Sequence, residues 1–210
     1  MEVLCYILII FVIFVSIKMY LESDIYNLKC IVSTVDGNKY CVRERKNLQK
    51  VADLLAKVTN KMKILVNKTY EEYSSNPKVK KLKKNFNPKK IKEILPTSSY
   101  TAYSENKGEK IAFCTTTTKK GSELIDENTL TFVAIHELSH IMSDSVGHTK
   151  EFWDNFKFLL KKAVEYGIYN PINYNKTPQD YCGMEINDNP FFDKDIDKDL
   201  SIEKEKKLTF

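Results

Sequence analysis

Histidine is almost missing from this chain: 210 residues hold three, all of them between positions 136 and 148. Whatever imidazole chemistry the protein has is therefore gathered in one place. The five cysteines are odd in number and show no CxxC spacing, so they neither suggest a second, thiolate-built zinc site nor require an oxidising compartment. Glycine, at six residues, is scarce beside abundant lysine, asparagine, isoleucine and tyrosine. That bias is one an AT-rich genome produces, and it bears little on mechanism. With 42% hydrophobic and 29% charged residues, the composition is that of one globular domain, plus a separable N-terminal segment.

The longest uncharged run is VLCYILIIFVIFVSI, Val3 to Ile17, and Lys18 extends it through Met19, Tyr20 and Leu21 if the lysine snorkels. Only Met1 and Glu2 precede it, without lysine or arginine, and no small-x-small cleavage site follows. A removed signal peptide is thereby disfavoured. An apolar surface on all sides is equally unlike a core helix of a small domain. The expectation is an uncleaved single-pass membrane anchor at 1–21, a folded domain at 22–192 and a charged flexible tail at 193–210. Counting basic flanking residues leans the folded domain weakly to the cytosol.

What is present is more specific. His136-Glu137-Leu138-Ser139-His140 is an HExxH pattern. At 3.6 residues per turn, His136 and His140 lie one above the other on one helix face and present two nitrogens to a single metal ion. Glu137 stands beside them and reaches the open coordination position, where it can act as general base while zinc lowers the pKa of a water toward about 7. A hydrolytic site of this kind needs a third protein ligand. His148 is the candidate, because Ser143 to Gly147 reads as a helix end with Gly147 permitting a turn, and a new amphipathic helix starts at Thr149. Glu151 and Glu165 compete. Neither has a matching spacing: the metzincin pattern needs a histidine where Val146 stands, and the long-range glutamate pattern needs an acid near Leu160.

Around this motif the chain reads as α+β. A hairpin is expected at Asp36-Gly37, which as a two-residue turn sets Cys41 opposite Val32 and Cys30 opposite Arg43, so a disulfide across it is not favoured. A long amphipathic helix is expected from Asn47 to about Tyr73. The stretch Lys78 to Lys92 holds eight lysines, a solvated face or a contact for nucleic acid or anionic lipid. Strands are expected at Tyr100 to Ser104, Ile111 to Thr115 and Glu123 to Ile125. An edge strand beside an HExxH helix can bind a peptide by main-chain pairing. The HExxH helix should begin near Asp126, and the chain beyond Gly167 reads as irregular.

The segment LTFVAIHELSHI followed by GHTKEFWDNFKFLL resembles the WLM and SprT-like zinc metallopeptidases, and the whole chain, with STVDGNKYCVR, VADLLAKV and YCGM, resembles most closely the WLM-type members encoded by large DNA viruses. The resemblance implies a zincin-like fold, His136, His140 and His148 as zinc ligands and Glu137 as general base. The gap from His140 to His148 is longer than in the compact WLM pattern and shorter than in many SprT-like members.

The expected function is that of a membrane-anchored zinc metalloendopeptidase acting on protein or peptide substrates. Tyr103, Tyr174 and Tyr181 are candidates for stabilising the oxyanion, and Asp144 or Glu151 for orienting a ligand histidine. Two rivals stand beside it: a membrane-tethered binding protein whose zinc is only structural, and a DNA-associated protease using the 78–92 stretch.

Overall fold

The computed structural model describes residues 2–22 and 28–193, so the tail beyond Asp193 lies outside the described residues. Glu2–Glu22 forms helix α1. From Tyr6 to Tyr20 its large apolar side chains are half or more exposed on every side, apart from Val15. Among the described residues no helix is long and apolar enough to cross a membrane. The side chains described in α1 run from Cys5 to Tyr20, a rise of roughly 24 Å at 1.5 Å per residue, against a hydrocarbon core of about 30 Å.

Strands β1 (Leu28–Val32) and β2 (Lys39–Arg43) form the expected hairpin in a different register. The connection is not a two-residue turn. It runs from Ser33 to Asn38, closed by Ser33 N–H donating to the Asn38 carbonyl at 2.9 Å. Asp36 accepts from Asn38 N–H and the Tyr40 hydroxyl, while Asp53 accepts from the Ser33 hydroxyl and Thr34 N–H. Side-chain acceptors thus satisfy a longer loop. The shift sets Cys30 directly opposite Cys41, and the two are joined as a disulfide, correcting the diagonal placement expected from a tight turn.

Helix α2 (Leu48–Glu72) buries Val51, Leu55, Val58, Met62, Leu65 and Val66, the stripe its periodicity predicts. Helix α3 (Pro77–Asn85) starts where Asn76 caps the N–H groups of Lys78 and Val79, with Pro77 in the first turn. Then come β3 (Ile91–Glu93), β4 (Ala102–Glu105) and β5 (Lys110–Phe113). The five-stranded sheet has the order β1-β2-β3-β5-β4, with β2, β3 and β5 parallel and both outer pairs antiparallel. The expected strand at Glu123 to Ile125 is only a single bridge between Thr116 and Leu124.

One buried ion network ties the three central strands. The Glu93 side chain, with no solvent exposure, accepts from Arg43 N–H and Nε, from Arg45 and from the Thr115 hydroxyl at 2.6–2.8 Å. Four donors satisfy a charge that would otherwise be costly to bury.

Helix α4 (Glu127–Met142) is capped by Asp126, whose side chain accepts from Thr129 N–H, and packs against α2, α3 and β4. Its second neighbour along the chain is α5 (Lys150–Glu165), which starts at the Thr149 cap. Beyond α5 the chain is less irregular than its sequence suggests. Gln179–Tyr181 (β6) and Met184–Ile186 (β7) make a hairpin through Cys182 and Gly183, both at positive φ, as a type I′ turn requires. Cys182 is disulfide-bonded to Cys114 at the end of β5, so this hairpin is stapled to the main sheet.

Candidate metal centre

Helix α4 is buried almost all round, with Leu130, Ala134, Leu138 and Ile141 without exposure. The partly open strip carries His136 and His140. The helix stops at Ser143, and Gly147 at φ +82° turns the chain back as the sequence implies. The return brings His148 to the same point. Nε2 of His136 lies 3.2 Å from Nε2 of His140 and 3.1 Å from Nε2 of His148, and the three ligand atoms all lie within 4.8 Å of one another.

The 3.2 and 3.1 Å separations from His136 fit a metal. Ligand nitrogens about 2.0–2.1 Å from a tetrahedral zinc stand roughly 3.3 Å apart. Hydrogen bonding alone does not account for the cluster, because one ring nitrogen carries either a single proton or a single lone pair. His136 Nε2 therefore cannot satisfy both contacts at once. Burial lowers the pKa of His136 to about 3, with His140 and His148 adding to the effect, and that of His140 to about 4. Neutral imidazole is the form that ligates.

Phe152 backs all three rings. Its centroid lies 4.8 Å from that of His136, 4.3 Å from His140 and 4.7 Å from His148, and its side chain has no exposure. Trp153 adds a contact to His148 at 5.7 Å. The aromatic residues at the start of α5 thus fix the imidazole planes. Their sequence signature was legible, but only as core.

Glu137 is 4% exposed, and burial pushes its carboxyl up to about 8. It lines a cleft of about 790 Å³ together with the three histidines. One wall is Tyr100 to Ser104, at and before β4, the strand that ends the sheet. Another is Met184 to Asp188, at and after β7, where the sequence predicts irregular chain. The floor includes Phe132, Val133 and Phe156.

The competing ligands are elsewhere. Glu165 pairs with Lys162 at the far end of α5. Glu151 accepts from the N–H groups of Asp144 and Ser145 and from the Ser145 hydroxyl, so it braces the loop ahead of His148 rather than the imidazole. Asp144 pairs with Lys81 and holds no histidine. Of the tyrosines, Tyr103 and Tyr181 line the cleft, whereas Tyr174 is fully buried against Phe132. The Tyr181 hydroxyl donates to the Thr101 carbonyl at 3.1 Å, and burial raises its pKa further above the ordinary range. In the lysine stretch, Lys78 pairs with Glu151, Lys81 with Asp144, and Lys83 donates to Asn67, while Lys80, Lys84, Lys89 and Lys90 face solvent.

The relatives are viral. An uncharacterized protein of Acanthamoeba polyphaga mimivirus is 29% identical over 163 residues, covering 75% of this chain and 82% of that protein. Uncharacterized proteins of Invertebrate iridescent virus 6 and Invertebrate iridescent virus 3 are 37% identical over 79 residues and 36% identical over 96. Those matches cover 37% and 45% of this chain, and 44% and 55% of the viral proteins. The expected kinship with proteins of large DNA viruses therefore holds. No family model matches the chain, and no solved structure matches it.

Proposed function

We propose that the chain is a zinc-dependent metalloendopeptidase of the WLM and SprT-like kind. The observation that carries this reading is the convergence of three imidazole nitrogens beside a buried glutamate at the floor of a cleft walled by a sheet-edge strand. A zinc ion bound by His136, His140 and His148 would polarise the scissile carbonyl and lower the pKa of a water. Glu137 takes a proton from the attacking water and passes it to the leaving amine. The edge of β4 pairs with the substrate main chain and holds it extended across the cleft. Of the three tyrosines considered for the developing oxyanion, Tyr103 and Tyr181 line the cleft and Tyr174 does not.

Glu137 also separates this reading from that of a purely structural zinc. Structural sites are closed by four protein ligands, and the cluster holds three histidines, with Glu137 lining the same cleft.

The proposal extends to a membrane. Helix α1 exposes its apolar side chains all round, and its full 21 residues rise about 31 Å. The two disulfides favour an oxidising side for the folded domain, against the weak lean of the basic residues toward the cytosol.

The deciding experiment is metal analysis and peptide cleavage on the full chain purified in detergent, comparing wild type with Glu137→Gln. The variant should keep its zinc and lose about 10²- to 10⁴-fold in cleavage rate, the usual contribution of a general base. A wild-type chain that binds no zinc, or a Glu137→Gln variant that cleaves normally, ends the proposal.

A further inference from the structure

The turn between β4 and β5 takes the left-handed backbone of a tight hairpin turn, closed by Gly108 N–H donating to the Glu105 carbonyl at 3.1 Å. Asn106 and Lys107 sit at φ +47° and +55°, followed by Gly108 at +113°. Asparagine tolerates the left-handed region more readily than lysine does. Gly108 is pressed against two helices: a Cβ there would stand 2.7 Å from the Asn85 carbonyl oxygen of α3 and 3.0 Å from Ile141 of α4. The turn therefore has a fixed seat, and the seat aims one side chain.

That side chain is Lys107. Its Nζ lies 2.6 Å from the Ser145 carbonyl oxygen, 3.1 Å from that of Ser143 and 3.4 Å from that of His140. An ammonium has three donors, and here they meet carbonyls at the end of α4 and along the loop to His148. The same loop is held from the other side, where Glu151 accepts the N–H groups of Asp144 and Ser145. Lys81 shares the Ser143 carbonyl, donating to it at 2.7 Å, while the Ser145 and His140 carbonyls go to Lys107, so two cations take the oxygens and an anion takes the amide hydrogens of one short segment. Lys107 also lines the cleft, next in the chain to the strand β4 that forms one wall.

We propose that Lys107 is a positioning residue. It holds the loop from Ser143 to His148 in the conformation that brings His148 to His136 and His140, and it ties that loop to the substrate-binding edge. The metal-site part of this rests on the function proposed above; the holding of the loop does not.

The test uses the full chain in detergent, with Lys107→Met and Lys107→Arg. Methionine keeps the long stem and the backbone position while removing the charge. Two readouts are needed. In the metal-free protein, amide exchange from Asp144 to His148 should quicken in Lys107→Met and return toward wild type in Lys107→Arg. With metal, Lys107→Met should lose about 10- to 100-fold in zinc affinity, the usual cost of removing a group that orients a ligand, and its cobalt-substituted form should show altered visible bands. Unchanged exchange in Lys107→Met overturns the proposal, as does wild-type zinc affinity with wild-type cobalt bands. A wild-type chain that takes up no zinc refutes the metallopeptidase reading instead, and the exchange data still decide whether Lys107 holds the loop.

Discussion

The Nε2 atoms of His136 and His148 lie 3.1 Å apart across a sequence separation of 12 residues. One helix cannot make that contact. It needs α4 to stop, Gly147 to reverse the chain and α5 to begin within reach, and all of this happens between Ser143 and Lys150. The ring that pins the outcome is Phe152.

Replacing Phe152 with alanine should therefore injure the metal site as well as the core. Removal of a fully buried phenylalanine costs about 3–5 kcal/mol. Zinc affinity should fall even under conditions where the fold persists, since all three imidazoles lose the face they pack on. Phe152→Leu, which refills much of the volume, should recover more stability than affinity. Thermal melts with zinc competition titrations separate the two effects. Equal recovery of both by leucine would refute the packing role in ligand orientation.

Glu93 offers a prediction away from the site. Alanine there strands Arg43 and Arg45 in a largely buried setting, and breaking such a network costs about 3–5 kcal/mol. Glu93→Ala should lower the unfolding midpoint sharply. A change within the noise of a surface substitution would show that the network is not a structural tie.

Glu151 gives a pH dependence with a definite sign. Burial acts to raise its pKa, but the Ser145 amide and hydroxyl, the Asp144 amide and Lys78 outweigh it and hold the carboxyl at about 2, below the ordinary 4.5. A depressed folded value means the stabilisation is present above pH 4.5 and is lost as pH falls toward 2. In metal-free protein, the stability gap between wild type and Glu151→Gln should be full at pH 6 and shrink between pH 4.5 and 2. A gap that stays constant through that window contradicts the assignment.

Much of this arrangement was legible in the sequence, and for physical reasons. The HExxH spacing sets His136 and His140 side by side because helical geometry is local, and Gly147 marks the reversal because few other residues accept a left-handed φ. The stripe from Val51 to Val66 identifies α2 for the same reason. What escaped depends on contacts distant in sequence. The hairpin register was misjudged because Asp53, on another element, supports the longer loop. Tyr181-Cys182-Gly183-Met184 contained a turn signal, but its strands have only three residues each, too few for a period-two pattern. The roles of Lys107 and Glu93 had no local signature, since their partners lie 33 to 38 and 22 to 50 positions away.

The sheet edge at β4 has a further consequence. A strand whose outer main-chain groups are kept available for a peptide is equally available to the same strand of another molecule. Tyr100, 62% exposed ahead of β4, adds apolar surface to that edge, while Glu105 and Lys110 place charges only at its far end. Under the proposed function, self-association of the empty protein and capture of substrate would compete for one surface. If the free form pairs edge to edge at high concentration, a peptide bound in the cleft should keep the chain dispersed there.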